Sequence, residues 1–382
     1  MKYLWSGVTM SCWSPVNSCG LIQEQRIPIA QAPVAIGKAV ACTIRAAAFG
    51  FLLAAGLPLV AQAQIPSLLF QSGYEPSKTI NAVSPSDCWL TPSGCWQHIS
   101  GTDTTTGFTW PPSIWGGGGS AFLLLADTPG VTAENIGDYM FNQIVTVKGH
   151  TGNLSNQALY SQVTKGPSGQ NPMGTASTTN LFELTPSSET SDLYISYWLK
   201  LPPGTAKNMS GLDAGPGIAN DGGTWRTLWA FKTGTPPAHD DGDYRVEAYV
   251  STQNSAGTLY WAIGADNNAG GNYPVVNSWG YTNSSVPVPE GVWFKLEFFW
   301  HRSPNADGRV WMAVNGTQIF NVLGANMGSA NLPINRVTVN SLYSGGRLPI
   351  YQWVDDLQIW DGFPPACTVP PPVWCDPPYA PH

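Results

Sequence analysis

Arg245, Glu247 and Tyr249 fall on alternate positions of the run YRVEAYVS, and alternate positions of a strand share one face. A guanidinium, a carboxylate and a phenol on one surface can hold an anion and move a proton. Two further runs carry similar chemistry. In WRTLWAFKT (225–233) Arg226 and Lys232 alternate with Leu228 and Ala230, opposite Trp225, Trp229 and Phe231. In WFKLEFFWHRS (293–303) one side reads Trp293, Lys295, Glu297, Phe299 and His301, and the other is apolar throughout. LYISYWLKL (193–201) adds Tyr194 and Trp198. If these strands turn their polar sides the same way, Arg226, Lys232, Arg245 and Lys295 gather on one face, with Trp198 and Trp293 as platforms and Glu247 and Glu297 between them. Aromatic faces suit sugar rings, and focused cations in an acidic protein suit a carboxylated sugar chain. The expected partner is an extracellular polysaccharide on one concave sheet.

The elements that must position these residues are short alternating runs separated by Gly, Pro, Asn and Asp clusters, the pattern of a sandwich or barrel. LYWAIG (259–264), RVWMAVNGTQIF (309–320) with a hairpin turn at Asn315-Gly316, and YQWVDDLQIW (351–360) complete the set. The only helical pattern, Ala133 to Asn142, is worth one or two turns. The reading is all-β: a two-sheet antiparallel jelly-roll sandwich with one face of each run buried. His98, His150 and His239 read as loop residues without zinc spacing. Asp355 and Asp356 are adjacent, so in a regular strand one carboxylate turns inward, which is costly unless it is bonded or binds a cation.

Lys38 and Arg45 precede the apolar run 46–60 and the A-x-A site Ala61-Gln62-Ala63, which reads as a secretory signal peptide within residues 1–63, behind a spurious N-terminal extension. At about 15 residues the run is short for a membrane span, which needs roughly 20. Residues 64–119 form a loop-rich segment, 120–362 the jelly roll and 363–382 a Pro-rich tail. Residues 64–382 hold 13 Lys and Arg against 23 Asp and Glu, a net charge of −10 that disfavours nucleic acid or anionic membrane as partner. Four cysteines fall there in two close pairs, Cys88 with Cys95 and Cys367 with Cys375; their spacings fit local disulfides of a secreted monomer better than zinc knuckles.

The run GVWFKLEFFWHRSPNADGRVWMAVNGTQIF (291–320) and the closing YQWVDDLQIW resemble the concanavalin A-like lectin/glucanase superfamily, in its polysaccharide-lyase-like and laminin-G-like members. The likeness spans roughly residues 120 to 362 and implies the jelly roll, a fold that hosts lectins, hydrolases, lyases and adhesive modules. In the fold's lyases Tyr and His act as acid and base. Carried over, this implies Tyr249 and His301 in those roles, Arg245 or Arg226 neutralising a uronate carboxylate, and Lys295 tuning them. Arg245-Val246-Glu247 is similar to the R-x-E strand of alginate-lyase-like enzymes, whereas their Q-I-H and Y-x-K-x-G-x-Y strands have no counterpart. Two alternatives stand beside β-elimination: glycoside hydrolysis by Glu247 with Glu297, and a non-catalytic lectin-like module. The resemblance requires no cofactor for activity but implies a structural calcium at Asp355 or Asp356.

Overall fold

Alternation of apolar and polar residues becomes strand almost everywhere it was read. The computed structural model describes residues 66–364 except 76, 91–92, 111–118, 127–129, 151–155, 166–176, 184–189, 211–224, 234–243, 253–256, 267–278, 304–306, 325–333 and 344–345. The leader-like segment, His239, the Cys367–Cys375 pair and most of the Pro-rich tail therefore lie outside the described residues. The early strands are β1 (Leu68–Ser72), β2 (Thr79–Ile80), β3 (Cys88–Leu90), β4 (Ser93–Gln97), β5 (Ile99–Ser100), β6 (Gly119–Leu125), β7 (Met140–Thr146), β8 (Gln157–Val163) and β9 (Ser177–Glu183). There follow β10 (Asp192–Lys200), β11 (Trp225–Thr233), β12 (Tyr244–Thr252), β13 (Leu259–Asp266), β14 (Trp279–Asn283) and β15 (Trp293–His301). The last are β16 (Arg309–Val314), β17 (Thr317–Leu323), β18 (Ile334–Tyr343) and β19 (Ile350–Trp360).

Two antiparallel sheets carry the fold. The first has the order β17-β16-β15-β10-β19-β8-β7, with β1 added beside β19. The second runs β14-β13-β12-β11-β18-β9-β6-β4-β3. This is the all-β jelly-roll sandwich expected. Segment 64–119 supplies strands to both sheets, and Cys88 and Cys95, opposite each other on the β3–β4 hairpin, are joined as a disulfide. The hairpin between β16 and β17 turns at Asn315 and Gly316, both at positive φ, as a tight primed turn requires. The expected helix shrinks to a 3-10 turn, Ile136–Asp138, because Met140 onward pairs with β8 instead.

The core lies between the sheets. Phe294, Leu296, Phe298 and Trp300 of β15 are fully buried and meet β11 of the other sheet, with ring centroids 4.1 Å apart for Trp229 and Phe298 and 6.2 Å for Phe231 and Trp300. At one end the interior turns polar. Asn142 of β7 donates to Thr178 of β9 (2.8 Å), Ser161 donates to Asn142 (2.5 Å), and Asn340 of β18 donates to Ser161 (2.6 Å). Gln352 of β19 donates to Asn340 (2.9 Å), so one buried network spans both sheets. Of the irregularities in strand register, two bear on the site: β11 carries an extra residue between Thr227 and Trp229, and β19 one opposite the Ser196–Trp198 stretch of β10.

Candidate functional site

The sandwich divides the residues that sequence reading had gathered. Arg245, Glu247 and Tyr249 lie on β12 of the nine-stranded sheet; Trp198, Trp293, Lys295, Glu297 and His301 lie on β10 and β15 of the eight-stranded sheet. With the inner residues of both strands in one shared core, the polar faces of β12 and β15 look away from each other. The expectation of a single groove is corrected. Alternation specifies the two faces of a strand, but not which sheet the strand joins.

On the nine-stranded sheet the outer face is ordered in rows. The backbone register aligns Arg336, Lys232 and Arg245 across β18, β11 and β12, with Glu183 and Asp266 at the ends of the row. The next row sets Glu247 among Thr338, Ala230, Gly264 and Gly280, so little rises beside its carboxylate. Tyr249 follows, between Thr227 and Ala262, and then Trp225, Ser251 and Tyr260. Arg245 Nη2 lies 3.7 Å from Glu247 Oε1, and the Trp225 ring stands edge-on to Tyr249 at 6.0 Å. Burial, then the Glu247 charge, pushes the Tyr249 phenol up to about 12, so it is protonated at neutral pH. Arg336 is buried, at 4% exposure, while Arg245 is half-buried. Sequence reading missed Arg336 because its strand, INRVTVNSLY, alternates Val with Arg, Thr and Asn and was not taken as part of the sheet.

Arg226 does not belong to this face. It pairs with Val250, whose side chain is in the core, and is itself 2% exposed; burial lowers its guanidinium to about 10, against the opposing pull of Glu290. The bulge after Thr227 is the reason: it shifts the facing of β11 by one residue, leaving Lys232 but not Arg226 in register with Arg245. Glu297 is likewise buried, at 1% exposure, and accepts a 2.8 Å hydrogen bond from the Tyr194 hydroxyl. It cannot act as a carboxylate pair with Glu247 across the sandwich. His301 sits between Asp192 (Nδ1 to Oδ1, 2.8 Å) and Asp307 (Nε2 to Oδ2, 3.9 Å) at the end of β15, far from Tyr249 in topology. The Lys295 backbone closes the β16–β17 hairpin by accepting from the Asn315 amide and donating to Asn315 Oδ1. Trp293 donates to the Lys148 carbonyl (2.9 Å) and lies beneath the Lys200 ammonium, so it is built into the structure rather than open as a platform.

A second cluster occupies the outer side of the eight-stranded sheet. The bulge in β19 puts Asp356 at φ 45°, and its amide donates to Asp355 Oδ1 (2.9 Å). Both carboxylates thereby face His150: its Nε2 is 2.9 Å from Asp356 Oδ2 and 3.8 Å from Asp355 Oδ2. Trp198 stacks on the His150 ring at 3.9 Å and 9° between planes, which is the role the structure gives that tryptophan. His150 is thus a buried residue and not the surface loop histidine expected. No spacing rule could find it, since its partners come from the far end of the chain. Burial and then the Asp356 charge push the Asp355 carboxyl well above the usual carboxylate range, and burial, then the charges of the same two aspartates, raises the Tyr74 phenol. Calcium takes six to eight oxygen ligands. An imidazole nitrogen against two carboxylates does not fit that ion, so the calcium implied by resemblance is not supported by this donor set.

No protein-family model matches the chain, and no curated protein matches it. Solved structures similar to it include polysaccharide lyases and the binding domains of botulinum neurotoxin serotype G and Paraclostridial Mosquitocidal Protein 1. Among the lyases is alginate lyase Aly36B (14% identity, 54% of this chain and 81% of that one, TM-score 0.35). The endo-β-1,4-glucuronan lyase of the fungus Trichoderma reesei is another (13%, 58% and 86%, TM-score 0.37). A third is alginate lyase vAL-1 from Chlorella virus (13%, 57% and 88%, TM-score 0.38). Likeness this distant says nothing of which side chains act. Among the described residues, no helix is long and apolar enough to cross a membrane.

Proposed function

We propose that the chain is a secreted, concanavalin A-like protein that binds a uronate-containing polysaccharide on the outer face of the nine-stranded sheet and cleaves it by β-elimination. The observation that carries this is the alternation of Arg245, Glu247 and Tyr249 on one face of β12, with the Trp225 ring beside Tyr249. Successive rows are about 6.6 Å apart along the strands. A guanidinium, a carboxylate, a phenol and the Trp225 ring thus meet one extended ligand in sequence. The disulfide between Cys88 and Cys95 fits an oxidising compartment.

In this reading the Arg245 guanidinium pairs with the uronate carboxylate and acidifies the adjacent C5–H. The Glu247 carboxylate takes the C5 proton. The C5–H electrons form the C4=C5 double bond as the C4–O bond breaks, and the Tyr249 hydroxyl gives its proton to the departing oxygen. A phenol held at about 12 suits a donor and not a resting base.

Incubation with alginate, glucuronan and pectin tests this through the far-ultraviolet absorbance of unsaturated uronate ends. The expected result is a rise on at least one polymer that is lost in Arg245→Ala. Retention on a polyuronate column with no absorbance on any polymer would replace the elimination with a binding module. Neither retention nor product would overturn the reading altogether.

A further inference from the structure

The cluster at the β19 bulge is independent of the polysaccharide face. We propose that His150, Asp355 and Asp356 form a structural site for a divalent transition ion of the zinc type, tying the segment after β7 to the bulge of β19. The three ligand atoms lie within 4.8 Å of one another. Around a tetrahedral ion with ligands at about 2.0–2.2 Å, neighbouring ligand atoms stand about 3.4 Å apart. The observed 2.9 Å and 3.8 Å separations bracket that value.

Burial and charge point the same way. The three side chains are 3%, 0% and 10% exposed. Two carboxylates enclosed together away from water call for a cation shared between them. One fully buried oxygen of the set, Asp355 Oδ2, has no hydrogen-bond partner. Such an orphaned atom is expected where a metal belongs. Glu75 is also buried, but its Oε1 is already engaged by the Thr105 hydroxyl (3.0 Å), which leaves the Asp pair as the carboxylate donors. The ring of His150 is held in place by Trp198 before any ion arrives, and a mixed nitrogen and oxygen set selects zinc-type ions over calcium.

The untagged, oxidised full chain is stripped with a chelator and dialysed against zinc, cobalt(II) or calcium in turn. Expected are one zinc retained per chain, visible absorption bands of four-coordinate cobalt, and an unfolding midpoint that rises by several degrees with zinc but not with millimolar calcium. His150→Gln and Asp355→Asn each weaken zinc binding by at least about tenfold. The proposal is overturned if the wild-type chain retains no zinc and its midpoint ignores the metal. It is equally overturned if calcium alone stabilises, or if His150→Gln holds zinc as tightly as wild type. Should that variant fail to fold, the stoichiometry and cobalt spectrum of the wild-type chain decide.

Discussion

Tyr249 joins stability and chemistry in one hydroxyl. Its phenol ionises near 10 in an unfolded chain and at about 12 in the folded one. A raised folded value favours the protonated form, so this contribution to stability is complete below pH 10 and is lost as pH climbs from 10 to 12. Tyr249→Phe removes the titration. Urea unfolding should therefore show the wild type losing roughly 2 kcal/mol more than the variant between pH 9 and 12. The same substitution leaves the aromatic contact with Trp225 but deletes the proton donor. Product formation on a responsive polyuronate should fall by roughly 100-fold or more, with retention on the polymer unchanged. A variant that turns over at the wild-type rate would assign the proton to another group.

At the scale of elements, β12 and β15 were legible because their alternation is uninterrupted, and each buries the side its sequence announces. What could not be read was the company each strand keeps. Pairing of β10 with both β15 and β19 is a long-range choice, and it sends Lys295 and His301 to the opposite side of the sandwich from Tyr249. Bulges were equally invisible. One residue inserted in β11 turns Arg226 inward; one inserted in β19 lets adjacent aspartates share a face, against the rule that neighbours oppose. The Pro-rich tail begins with an anchor: the Phe363 ring lies 5.2 Å from Tyr194, 5.5 Å from Phe299 and 5.3 Å from Trp311. Phe363→Ala should cost about 2 kcal/mol in chemical denaturation, short of a fully enclosed phenylalanine because the ring is half-buried. The polar network is more exacting. Asn142→Leu leaves Thr178 and Ser161 without their shared partner, and a loss of roughly 2–4 kcal/mol is expected in the same assay.

For the whole molecule, the order of strands in space differs from their order in the chain. β19, the last strand among the described residues, sits inside its sheet with β10 on one side and β8 and β1 on the other. Until residues 350–360 leave the ribosome, those three neighbours have unpaired edges and nothing to bridge them. The two ends of the fold must find each other, a non-local closure that makes such topologies slow to fold. Synthesis from the N-terminus therefore yields no half-built sandwich to wait in. A chain stopped after residue 349 should remain unfolded by circular dichroism and protease-sensitive throughout. One stopped after residue 364 should give a cooperative transition, and if the shorter chain gave one too, folding would not depend on that final strand. Assembly of this sandwich thus waits for β19, and a strand near the C-terminal end of the described residues is the one that starts it.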